Sequence, residues 1–177
     1  MSDVEELPGT GFAPGAVTSL PGQPADLRYS SEVLMLEIPA INVRMAVVGV
    51  PQSGKGWDVT WLGSGAGWLN GTAYPTWLGN SVITGHVWDA YNNPGPFAQV
   101  KTLKYSDEVR IHAGGQVYVY SVRENRVVQP DDTQSVLKHE EKAWVTLLTC
   151  EDYNARLDSY ANRRIVRAVL VKVIAEK

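Results

Sequence analysis

The chain has 177 residues, 44% of them apolar and 20% charged, a length and balance suited to one soluble globular domain with a core of its own. Its single cysteine excludes an internal disulfide framework and any Cys-rich zinc or iron–sulfur site. A net charge of −3 argues against nucleic acid as a partner, and there is no run of about 18 apolar residues to span a bilayer.

Residues 1–27 carry four acids and no base, whereas the other 150 residues hold 15 acids and 16 bases. The same stretch contains four of the ten prolines and four of the sixteen glycines, with few large side chains. Such a segment buries too little apolar area to offset its ordering entropy, so residues 1–30 are expected to be a flexible acidic arm and residues 31–177 the folded domain. The start Met-Ser-Asp has neither the basic nor the apolar region of a signal peptide, so an export signal or anchor is expected to lie outside this chain.

After the arm, short strands alternate with turn chemistry. Residues 33–38 form a strand stopped by Pro39, and residues 43–50 another stopped by Pro51. Residues 54–79, rich in Gly and Trp, read as irregular, and residues 81–84 as a strand running into Gly85 and His86. Asn92-Asn-Pro-Gly-Pro96 is a turn, after which Phe97, Val100 and Leu103 share one face of a helical turn or two. Residues 108–112 begin a strand, and Gly114-Gly115 suits a hairpin into residues 117–122. Asp131 or Asp132 is placed to cap a short helix through Leu137. Residues 143–149 and 165–174 are the last two strands. Many strands with few helices argue for an all-β barrel or sandwich.

Cys150 stands where the apolar strand Trp144-Val-Thr-Leu-Leu-Thr149 exits into the polar run Glu151-Asp-Tyr-Asn154. A nucleophile at such an exit is held by rigid structure while a loop admits substrate, although a free Cys is as often an inert buried residue. Of the three histidines, His112 lies mid-strand and His139 in a charged run, whereas His86 ends a strand in a turn-rich neighbourhood. A His beside a Cys takes the thiol proton and later protonates a leaving amine. A cation nearby favours the thiolate and steadies an oxyanion, and the adjacent Arg163 and Arg164 are candidates, of which strand alternation lets only one face the site.

Together these residues resemble a family. Thr146-Leu-Leu-Thr-Cys150 resembles the TLxTC signature of sortases, the cysteine transpeptidases of bacterial surfaces. Leu36-Glu-Ile-Pro39 with Ile41 looks like the family's first strand, and residues 68–86, with Gly71-Thr72, Gly79-Asn80 and Ile83-Thr-Gly-His86, like its approach to the catalytic His. Phe97, Leu103, Asp107 and Val109 resemble the segment that follows, so the likeness runs over about residues 33–174. The resemblance implies a closed eight-stranded β-barrel with one or two short helices. It also implies that Cys150 attacks the Thr–Gly bond of an LPxTG-like sorting signal to form a thioacyl enzyme, which an amine of the cell wall or of another protein resolves. His86 would be the general acid and base, Arg163 would hold substrate or oxyanion, and Arg164 and Thr149 would be further substrate contacts. No metal or other cofactor is expected, since the span 74–82 lacks the acids of calcium-binding members. The Asp-Pro-aromatic lid of pilin-polymerising members is also missing, which favours anchoring of single proteins at the extracellular face of the cytoplasmic membrane or in the cell wall.

The arm itself contains Leu7, Pro8, Gly9, Thr10 and Gly11, an LPxTG pentapeptide. It is either a Pro/Gly linker whose letters coincide with the signal, or a pseudosubstrate or autoprocessing site for its own or a neighbouring active site. The rival to the enzyme is a secreted β-barrel that binds peptides or glycans, with Cys150 inert and some of the six tryptophans lining a groove.

Overall fold

The computed structural model describes residues 7–9, 33–54, 56–89 and 91–177. The flexibility expected of residues 1–30 therefore falls, apart from 7–9, outside the described residues.

Among the described residues there are ten strands: β1 (Leu34–Ile38), β2 (Val43–Val50), β3 (Gln52–Ser53), β4 (Gly56–Trp57), β5 (Ala66–Leu69), β6 (Gly79–Gly85), β7 (Glu108–Ala113), β8 (Gln116–Val128), β9 (Ala143–Asn154) and β10 (Ser159–Ala175). Eight of them close into a barrel in the order β1-β2-β5-β6-β9-β10-β8-β7, with β7 pairing back onto β1, while β3 and β4 form a two-residue ribbon. This is the eight-stranded barrel expected, with each barrel strand paired to a neighbour on both sides. The neighbours β2–β5 and β6–β9 are parallel, and the other ladders antiparallel. Among the described residues the one α-helix, α1 (Thr133–Val136), lies between β8 and β9; its N-cap is Asp132, whose carboxylate accepts from the Ser135 N–H at 3.0 Å.

Alternation along the strands divides the apolar residues into two clusters. The barrel interior is filled by Leu36, Ile38, Ile83, Ile111, Leu147 and Val166 with their neighbours. The second cluster packs outside the wall formed by β6, β9 and β10: Val82, Leu148 and Ile165 point outward and are covered by Trp57, Val59 and Leu62 from one side and Val136 from the other. Sequence reading missed β5, because its Ala-Gly-Trp-Leu carries no alternating pattern; its pairing comes from β2 and β6 on either side. Gly67 in this strand has no room for a Cβ, which would lie 2.5 Å from the Val50 side chain.

The last two strands differ from expectation in extent. β9 continues through the polar residues to Asn154 and β10 begins at Ser159, so Cys150 is inside a strand rather than at its exit, and the two arginines are well inside β10. Pairing sustains the polar stretch as a projecting ribbon, where Tyr153 and Tyr160 are register partners with ring centroids 5.3 Å apart.

Candidate active site

Three strands bring the candidate groups into one row. In the antiparallel ladder between β9 and β10, Cys150 is the direct partner of Arg163. In the parallel ladder between β6 and β9, Thr84 is level with Leu148, and continuing that register by two residues sets His86 level with Cys150. Adjacent strands lie about 4.8 Å apart, and Thr84, His86, Leu148, Cys150, Arg163 and Ile165 share the parity that points away from the barrel interior. His86, Cys150 and Arg163 thus stand side by side on the outer face, at 1%, 2% and 8% exposure.

Each is fixed from several directions. The His86 ring makes a 2.9 Å hydrogen bond from Nε2 to the Val59 carbonyl, in the loop that covers the outer cluster. A carbonyl only accepts, so Nε2 carries a proton and the basic nitrogen of the neutral ring is Nδ1. The main chain of His86 is clamped by the turn after it: Phe97 N–H donates to the His86 carbonyl at 3.0 Å and Gly95 N–H to the Val87 carbonyl at 2.6 Å. Gly95 passes so close that a Cβ there would lie 2.3 Å from the His86 oxygen, and a Cβ on Gly85 would lie 2.7 Å from the Phe97 ring. These glycines are needed for close approach.

Arg163 gives Nη1 to the carbonyls of Asn162 at 3.1 Å and Tyr160 at 3.4 Å. Its Nε is buried and has no hydrogen-bond partner among the described residues, so one N–H remains for a ligand oxygen. Arg164 projects from the opposite face. Its guanidinium pairs with Glu151 at 3.2 Å and with Asn125 Oδ1 at 3.2 Å, and Asn125 in turn donates to the carbonyls of Val100, Lys101 and Leu103. It braces the mouth of the barrel and does not face the row. Thr149 also points away from the row; its hydroxyl donates to the Gly85 carbonyl at 2.8 Å, fastening β9 to β6 just before the histidine. The remaining histidines lie elsewhere: His112 is held between Glu37 at 2.7 Å and Glu176 at 2.9 Å, and His139 lines a different cavity.

Sequence reading missed several residues of the neighbourhood. Asn80 is 8% exposed; its Oδ1 accepts from the Thr146 hydroxyl at 2.7 Å, and its Nδ2 donates to the carbonyls of Val136 at 2.9 Å and Lys138 at 3.1 Å. This side chain pins the α1 segment against the outer face. Trp88 and Tyr160 line a cavity of about 230 Å³ together with Thr149 and Cys150. Burial pushes the Tyr160 hydroxyl well above its ordinary range, with the nearby Cys150 adding to the effect. Another cavity, of about 390 Å³ between residues 71–80 and 137–139, is larger but contains none of the three row residues. The tryptophans are mainly packing groups: Trp57 is buried with its indole N–H on the Asn70 carbonyl, and Trp68 packs edge-on against Tyr74.

Residues 36–171 match the sortase domain family. The chain belongs to the sortase family. It is 27% identical over 120 residues to sortase D of Bacillus subtilis (strain 168), a match covering 68% of this chain and 54% of that one, so it spans about half the length of that relative. Among solved structures it resembles sortase A from Corynebacterium diphtheriae with a TM-score of 0.65 and 30% identity, covering 79% of this chain and 60% of that one. It resembles sortase C-1 from Actinomyces oris with a TM-score of 0.64 and 30% identity, covering 78% and 73% of the two chains.

Proposed function

We propose that this sortase is a cysteine transpeptidase that cleaves the Thr–Gly bond of an LPxTG-like sorting signal and joins the new carboxyl end to an amine. The observation that carries the reading is the row His86–Cys150–Arg163, with Cys150 and Arg163 paired on β9 and β10 and His86 directly after the end of the neighbouring β6. The Cys150 thiolate attacks the threonine carbonyl, and negative charge develops on its oxygen. The Nε–H of Arg163, without a partner among the described residues, suits that oxygen, and a charged donor in a buried site strengthens the bond. Collapse breaks the C–N bond; the leaving amine takes its proton from His86, and a thioester to Cys150 remains. An acceptor amine then loses a proton to His86 and attacks the thioester, the C–S bond breaks, and the thiolate returns. The acceptor would be an amine of a cell-wall precursor or of another surface protein, and the enzyme would work at the extracellular face of the membrane. Among the described residues no helix is long and apolar enough to cross a membrane.

The test is an LPxTG peptide offered with hydroxylamine. Expected are a peptide hydroxamate and, by intact mass, a thioacyl adduct on Cys150, both lost in Cys150→Ala. Peptide binding without either product would assign the fold to a binding module instead.

A further inference from the structure

Residues 7–9 are seated against the barrel. Leu7 is 2% exposed and belongs to the outer apolar cluster with Val59, Val82, Val128, Val136, Leu148 and Ile165. Its N–H donates to the Pro130 carbonyl at 3.1 Å, in the connection between β8 and β9. One backbone hydrogen bond and one apolar pocket are the means by which an extended peptide is held in a groove. The strands that wall this pocket also carry the reactive row. Leu148 precedes Cys150 by two residues and Ile165 follows Arg163 by two, all on the same face, and Val59 carries the carbonyl that holds the His86 ring.

We propose that Leu7-Pro8-Gly9, the described start of the Leu-Pro-Gly-Thr-Gly sequence, is a tethered pseudosubstrate, which occupies the groove that reads the leading Leu-Pro of the sorting signal and must be displaced by it. The proposal rests on the sorting-signal reading above. The burial of the segment follows the logic of the signal. Leu7 and Pro8, at the two fixed positions, are buried, whereas Gly9, at the variable position, is exposed with no atom within 4 Å of where its Cβ would be. Residues 10–32 join this segment covalently to the barrel, and a peptide tethered to its own site is met there at an effective concentration on the order of a millimolar. A pentapeptide that binds with a dissociation constant of about 0.1–1 mM would then raise the apparent KM for external signal about two- to tenfold and leave kcat unchanged.

The experiment compares the full chain with its Leu7→Ala and Leu7→Met variants. It reads KM and kcat for a fluorogenic LPxTG peptide, and the rate of Cys150 alkylation by iodoacetamide with no peptide present. Leu7→Ala should lower KM two- to tenfold at constant kcat and speed alkylation several-fold, and millimolar Leu-Pro-Gly-Thr-Gly added to that variant should slow alkylation again. Leu7→Met keeps the pocket filled and should behave as the parent, whose alkylation rate should not change on dilution. Unchanged KM and unchanged alkylation in Leu7→Ala would overturn the proposal. If that variant does not fold, Pro8→Ala, which removes less buried surface, gives the same readings in smaller measure or refutes the idea by giving none. Faster alkylation with no peptide turnover by any of the proteins would retain the docked arm and sink the sorting-signal reading. Turnover with one common KM and alkylation rate would do the reverse.

Discussion

Replacing Gly95 by Ala perturbs the histidine without touching its side chain. The added Cβ would lie 2.3 Å from the His86 oxygen and 2.7 Å from its carbonyl carbon, where contacts under 3.0 Å are essentially never tolerated. Relief needs a shift of at least about 0.7 Å, and because the obstructing atoms are backbone, no rotamer change supplies it. If the turn lifts, the bonds from Gly95 N–H to Val87 and from Phe97 N–H to His86 are strained or lost, at about 0.5–1.5 kcal/mol each, a fall in Tm of roughly 2–10 °C. If His86 yields instead, a displacement approaching 1 Å can cost up to about 100-fold in rate, which is roughly 2.7 kcal/mol of barrier. The expected result is a loss of about 10- to 100-fold in kcat/KM for LPxTG peptide cleavage, together with a lowered Tm. Gly54→Ala is the control, since no atom lies within 4 Å of a Cβ there, and it should stay within about twofold of the parent. A Gly95→Ala protein with parental Tm and kcat/KM within about twofold would refute the idea that this close approach positions the histidine.

Other outcomes follow from the same geometry. Arg163→Lys keeps the charge but loses the Nε–H that lacks a partner among the described residues; kcat should fall about 10²- to 10³-fold in steady-state peptide assays, whereas Arg164→Lys should cost far less. Asn80→Ala leaves the carbonyls of Val136 and Lys138 without their donor, and should cost about 1–3 kcal/mol in denaturant unfolding and raise KM as the α1 wall loosens. The Glu140 carboxyl is held below its ordinary value of 4.5 by the hydrogen bond from Arg167, with Lys138 adding to it. A lowered folded-state value stabilises the protein above about pH 4.5, and that stability is lost as pH falls through the folded value; Tm measured from pH 6 down to pH 3 should therefore drop less steeply for Glu140→Gln than for the parent. Signal peptides varied at the third position should differ by no more than a few-fold in kcat/KM, because the site at Gly9 opens to solvent.

Legibility differed with the kind of information each feature needs. Alternation and stop residues were enough for β1, β2, β7 and the short helix capped by Asp132, since those signals are local. The irregular reading of residues 54–79 failed at β5, a strand made by its two neighbours. The ends of β9 and β10 were missed for the same reason, because polar residues there are kept in strand by each other. For the candidate site, the residue types and their order were legible, and alternation already required that only one of Arg163 and Arg164 face the cysteine. Which one did so depended on the β9–β10 register, a non-local fact. Asn80 and Gly95 were opaque as single letters, because their roles are defined by carbonyls that other segments bring to them.

The five residues that end in the cysteine show why so short a motif is informative. Odd positions turn into the barrel: Leu147 enters the inner core, and Thr149 bonds the Gly85 carbonyl. Even positions turn outward: Thr146 holds Asn80, and through it the α1 wall; Leu148 joins the outer apolar cluster; and Cys150 stands in the row with His86 and Arg163. Two of the five thus bind β9 to its place in the barrel, two build the outer face, and one presents its sulfur beside Arg163. A shift of one residue in the pairing of β9 would exchange the two sets, burying the thiol inside the barrel and turning Thr149 toward the groove. The outward face is therefore specified by the same hydrophobic pattern that closes the barrel, and the position of the sulfur needs no separate device beyond the Arg163 and His86 registers on either side.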